Sequence, residues 1–76
     1  MPLRFFERVR AIGGAEWDEP LEIVDDPGGS LDTLSPGAQV SHNFRWAPGS
    51  DRAGRVGRYW TVVAQVGDAV FLEWVA

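Results

Sequence analysis

Residues 56–76 read VGRYWTVVAQVGDAVFLEWVA, and the fold turns on how this stretch is understood. Two runs rich in β-branched and aromatic residues flank Gly67-Asp68, a dipeptide suited to the tight two-residue turn of a hairpin. With Val66 paired to Ala69, strict alternation puts Trp60, Val62, Ala64, Val66, Ala69, Phe71 and Val75 on one face. Tyr59, Thr61, Val63, Val70, Leu72 and Trp74 then share the other. Both faces are largely apolar, so the hairpin requires cover on two sides. The upstream chain is expected to supply one cover and a partner the second.

Upstream, residues 38–46 (AQVSHNFRW) alternate cleanly. Val40, His42, Phe44 and Trp46 point one way, and Gln39, Ser41, Asn43 and Arg45 the other, which predicts a strand with one core face. Residues 3–12 fit two periods. As a strand, Leu3, Phe5, Val9 and Ala11 share a face with Glu7 as the exception, opposite Arg4, Phe6, Arg8 and Arg10. As a helix, Pro2 suits the first turn, Gly13 the C-terminal cap, and Phe5, Val9 and Ile12 form a stripe. The strand is preferred, because a lone short helix is marginal without strong packing.

Residues 13–20 read as a loop in which Trp17, set among Glu16, Asp18 and Glu19, folds back over the core. Residues 21–24 form a short strand, stopped by the turn Asp25-Asp26-Pro27-Gly28-Gly29-Ser30, and residues 31–34 are too short to assign. Ser35-Pro36-Gly37 is a further turn, and residues 47–57 form an exposed loop carrying Gly, Pro and Arg. The expected architecture is a single all-β domain over residues 1–76. It is a small antiparallel barrel of four to five short strands, SH3-like or OB-like, ending in the hairpin. The alternative is an α+β domain with a short N-terminal helix.

Composition narrows the chemistry. A chain of 76 residues buries only about 60% of its unfolded surface, and this one has no cysteine, so disulfides, Cys-based zinc sites and thiol nucleophiles are excluded together. Four Trp, four Phe and one Tyr supply the apolar mass instead. The net charge of −4 is unevenly spread: +2 over residues 1–14, −7 over 15–40, +3 over 41–60 and −2 over 61–76. Such segregation serves either internal pairing or a local basic patch. All seven basic residues are Arg, which reflects either GC-rich coding or a need for bidentate contacts. The start of the chain lacks the apolar core of a signal peptide, and no apolar run approaches a membrane span, so a cytoplasmic protein with no membrane partner is expected.

Catalytic and metal motifs do not emerge. Asp25, Asp26, Ser30 and Asp32 offer oxygen ligands, but their spacing departs from an EF-hand loop and suits a solvated turn. His42, the one histidine, sits on an apolar face as a core or rim residue and has no second His or Cys to join it on a metal. No serine lies in a Gly-x-Ser-x-Gly context. Residues 48–58 interleave glycines with arginines but lack the Gly-Lys-Ser/Thr ending of a P-loop and lead into a strand. The expectation is therefore a protein that is not an enzyme and holds neither cofactor nor metal.

The suggestive constellation is Arg45, Trp46, Arg52, Arg55, Arg58, Tyr59 and Trp60, joined on the hairpin by Phe71 and Trp74. Cations among aromatics serve single-stranded nucleic-acid binders, where rings stack on bases, and equally protein–protein hot spots. A net charge of −4 favours a protein partner, since non-specific nucleic-acid affinity rests on phosphate neutralisation. In a purely structural alternative, Trp46 and Trp60 are core and the arginines answer the acidic segment. The expected function is a non-catalytic module that recognises a protein partner or self-associates through this aromatic and arginine surface. The alternatives are a single-stranded nucleic-acid-binding barrel and a small acidic inhibitor of the immunity type.

Overall fold

The computed structural model describes residues 3–24 and 35–75. Seven strands follow in chain order: β1 (Arg4–Arg10), β2 (Glu16–Ile23), β3 (Gln39–Val40), β4 (Phe44–Trp46), β5 (Val56–Gly57), β6 (Trp60–Val66) and β7 (Ala69–Trp74). They form one sheet in the order β3-β6-β7-β1-β2-β4-β5. The all-β expectation holds, but there are seven strands instead of four or five. The sheet is also mixed, because β1 runs parallel to β7 while every other pair is antiparallel.

The sheet curls into a half-barrel. β6 and β5 lie near opposite ends of the strand order, yet the Trp60 indole donates to the Gly57 carbonyl across 3.1 Å. Gly57 permits that approach: a Cβ there would sit 2.8 Å from Trp74 Nε1 and 2.9 Å from both Trp46 Cη2 and Trp60 Cζ2. The concave face carries the core, namely Phe5, Leu21, Val40, Phe44, Trp46, Trp60, Val62, Val70 and Leu72. Its rings interlock, with centroids 4.9 Å apart for Phe5–Phe44, 5.7 Å for Phe44–Trp60 and 5.4 Å for Trp46–Trp60. Such tilted and edge-on contacts suit the aromatic quadrupole.

The strand preferred over residues 3–12 forms as β1, because the period-two pattern pairs on both sides, with β2 and with β7, and the alternative of a short N-terminal helix falls. Several other expectations are corrected. The loop expected over residues 13–20 shrinks to a tight turn, where the Gly14 amide donates to the Ala11 carbonyl at 3.0 Å, and the strand begins at Glu16. Its acids were a misleading cue: Glu16 and Asp18 face outward opposite Arg10 and Arg8, so cross-strand charge pairing favours the strand. The single strand expected over residues 38–46 divides into β3 and β4, which pair with different neighbours, β6 and β2. The loop over residues 47–57 ends in the short strand β5. The turn and short segment over residues 25–34, with Asp25, Asp26, Ser30 and Asp32, lie outside the described residues.

The hairpin forms, and Val66 pairs with Ala69 as expected, but a β-bulge between Val62 and Ala64 breaks the alternation. Beyond it Val62 faces Leu72 and Trp60 faces Trp74, so the large residues gather on the concave side. The convex side of the hairpin keeps Thr61, Ala64, Val66, Ala69, Phe71 and Glu73. Two equally apolar faces are thus replaced by one heavy face and one light one. On the light face an apolar row crosses the sheet through Ala64, Phe71, Phe6 and Pro20. Phe6 and Phe71 stack at 5.5 Å, with Arg8 lying 4.8 Å over Phe71 and Arg4 5.8 Å over Phe6. The two guanidiniums cover the rings of this row, which reduces the need for a second layer.

Candidate functional site

Because β1 and β7 are parallel and β2 and β6 each run antiparallel to a neighbour, the ends of β1 and β7 and the beginnings of β2 and β6 meet at one rim of the half-barrel. The loop of residues 47–55 crosses the same rim, tied at its base where the Trp46 amide donates to the Arg55 carbonyl and the Gly54 amide to the Trp46 carbonyl, each at 2.9 Å. Three side chains from the sheet converge there: Glu7 of β1, Trp46 of β4 and Trp74 of β7.

Glu7 is the one buried charged residue among those described, 4% exposed. Its position follows from β1's alternation, which points it inward between Phe5 and Val9. Both carboxylate oxygens are used. Trp46 Nε1 donates to Oε1 at 2.7 Å, and Arg52 Nη1 donates to Oε2 at 3.0 Å. The Arg52 guanidinium also lies 5.3 Å from the Trp46 ring centroid and 5.5 Å from that of Trp74. A buried carboxylate without such partners would carry a heavy desolvation cost. In the sequence, Glu7 stands out only as an exception on an apolar face, and that exception is the available signal.

The nine residues expected to bind are distributed over four environments. Trp46 and Trp60 are core, each 1% exposed, so they shape the surface without presenting themselves on it. Phe71 lies on the convex face, and Arg45 is exposed there opposite Glu22 and Val56. Arg55 is exposed at the foot of the loop. The rest gather at the rim: Trp74 is 41% exposed and Tyr59 55%. Arg58 lies 5.7 Å over the Tyr59 ring, as Arg52 lies over Trp74. Val75 joins them, its amide donating to the Tyr59 carbonyl at 2.8 Å. A notch of about 150 Å³ opens beside Tyr59 and Val75, floored by Val40 and Trp60.

Four of the seven arginines are seen in ion pairs among the described residues. Arg4 pairs with Asp68 at 2.8 Å, Arg8 with Asp18 at 3.4 Å, Arg10 with Glu16 and Glu73 at 3.7 and 3.6 Å, and Arg52 with Glu7 at 3.0 Å. The Arg4 hydrogen bond holds the Asp68 carboxyl below its ordinary range and raises Arg4 in turn. His42 is half-buried beside Phe44, at 6.5 Å between ring centroids, and its Nδ1 has no hydrogen-bond partner among the described residues. Among the described residues no group of His, Asp or Glu is placed to hold a metal ion, and no helix is long and apolar enough to cross a membrane. Comparison with protein-family models, curated proteins and solved structures finds no match.

Proposed function

We propose that this protein is a non-catalytic binding module that recognises another protein, or a second copy of itself, through the rim formed by Arg58, Tyr59, Trp74 and Val75. The carrying observation is the pair of cation–aromatic contacts, Arg58 on Tyr59 and Arg52 on Trp74, which gathers at one rim two of the three exposed aromatics among the described residues, Trp17 being the third. Trp, Tyr and Arg dominate interface hot spots, and a rigid aromatic beside a notch loses little side-chain entropy on binding. The internal pairing of Arg4, Arg8, Arg10 and Arg52 favours a protein over a nucleic-acid strand, which needs free cations for its phosphates. We also take the short, strongly bent strands as those of a small barrel of SH3-like or OB-like kind.

The test has two arms, sedimentation at micromolar concentration and selection of peptides from a displayed library. A variant carrying Arg58→Ser and Tyr59→Ser alters only exposed side chains and keeps the fold. Self-association or peptide affinity of the wild type is expected to fall by about tenfold or more in that variant. A monomeric wild type whose selected peptides bind the variant equally well would overturn the reading.

A further inference from the structure

Glu7, Trp46 and Trp74 form more than a closed structural contact. We infer that they constitute a cation-binding cage whose resident is this chain's own Arg52, and that the arginine side chain of a partner protein binds by taking Arg52's place. The inference rests on the reading of the rim as a protein-binding surface and names the side chain that surface receives.

The division of labour between sheet and loop supports it. All three walls stand on strands, Glu7 on β1, Trp46 on β4 and Trp74 on β7, whereas the cation comes from the loop of residues 47–55. The Trp46 indole fixes one Glu7 oxygen and leaves the other aimed at the guanidinium. Two indoles with rings at 80° to each other and 5.3 Å apart then flank the charge. A flat, forked and weakly hydrated cation between aromatic faces and a carboxylate is the chemistry of arginine; lysine cannot fill it equally.

The resident is also removable. The Arg52 side chain is 34% exposed, against 5% for that of Glu7. The backbone hydrogen bonds of the loop tip are local: Ser50 donates to Ala47, Ala53 to Ser50 and Arg55 to Arg52. Withdrawal of the guanidinium therefore leaves the pairing of β4 with β5 in place. Beside it lies a space of about 30 Å³ bounded by Glu7, Val9, Trp17, Glu19, Ser50 and Arg52. Glu19, held by the Trp17 indole at 2.9 Å, offers an incoming cation a second carboxylate on that approach. A buried ion pair contributes little more to stability than an apolar pair of the same shape, so the fold alone does not call for a charge here. A tethered competitor acts at millimolar effective concentration, which makes a free arginine side chain a weak ligand and a partner with additional rim contacts a strong one.

The experiment titrates N-acetylarginine amide, with the neutral isostere N-acetylcitrulline amide as control, and follows the Trp46 indole N–H resonance. Arg52→Ala empties the cage and is expected to bind the arginine probe at least about tenfold more tightly than the wild type. Arg52→Lys, which keeps the charge and protects the fold, falls between the two, and citrulline binds none of them. Adding Trp74→Leu to Arg52→Ala removes the gain. Equal affinity of wild type and both Arg52 variants for the arginine probe, or equal binding of citrulline, would overturn the proposal. The rim variant with Arg58→Ser and Tyr59→Ser keeps the cage intact, so failure of the cage and failure of the rim reading give separate results.

Discussion

At the scale of single residues, Gly57 and Glu7 show opposite ways in which a position is constrained. Gly57 is held by space: three indole atoms stand within 2.9 Å of where its Cβ would be, and all belong to rings packed against one another. Gly57→Ala is expected to destabilise the protein by about 1–3 kcal/mol, read from the urea midpoint, as overpacking forces Trp60 and Trp74 apart. Gly13→Ala, which meets nothing within 4 Å, serves as the near-neutral control. A Gly57→Ala midpoint equal to that of the control would mean that the edges of the sheet do not close as described. Glu7 is held by charge instead. Nothing in residues 3–12 reveals its partners, because Trp46 and Arg52 lie 39 and 45 positions away in the chain. Its periodicity was legible; its chemistry was not.

At the scale of elements, the parallel pairing of β1 with β7 is the feature that no local pattern carries. Alternation in β1 and in the hairpin predicts which side chains share a face, but two strands of the right period can pair in either direction. The register brings Phe6 opposite Phe71, stacked at 5.5 Å with their planes 25° apart. A double-mutant cycle with Phe6→Leu and Phe71→Leu is expected to show a coupling energy of about 0.5–1.5 kcal/mol. A coupling indistinguishable from zero would contradict that register. The bulge at Val62/Ala64 belongs to this scale as well, since one extra residue moved Trp60 and Val62 onto the face of Leu72 and Trp74. Strict alternation cannot anticipate it; the curl of the sheet requires it, because a bulge bends the strand that carries it.

At the scale of the whole molecule, part of the segregated charge of the sequence resolves into cross-strand, loop-to-strand and turn-to-strand pairs. Arg4 and Asp68 link the start of β1 to the turn between β6 and β7, reinforced by the Arg4 amide donating to the Asp68 carbonyl at 2.8 Å. The Asp68 carboxyl is held low chiefly by its hydrogen bond from Arg4, so the folded state binds its proton less readily than the unfolded chain does. That contribution is fully present above the unfolded value of about 3.9 and is lost as pH falls through the lower folded value. Asp68→Asn is therefore expected to lower the urea midpoint at neutral pH, with the difference from wild type shrinking below about pH 4. A difference that stayed constant across the acid range would show that the pair does not act through its charge. The effect is small, as for any exposed pair, and added salt reduces it.

Read alone, the sequence favoured an all-β chain over an α+β one, placed a hairpin turn at Gly67-Asp68, preferred the alternation of residues 3–12 in which Glu7 is the exception, and showed that its charge is segregated. These are consequences of local period and turn chemistry, which neighbours in the chain set. The tertiary structure alone decided the parallel β1–β7 ladder, the extension of β2 back to Glu16, the burial of Trp46 and Trp60, and the meeting of Glu7, Trp46, Trp74 and Arg52 at one rim. The physical reason is that these depend on closing long loops and curling one sheet, where burial of the large rings outweighs strict alternation. Residues far apart in the chain then settle which aromatic is core and which remains at the surface.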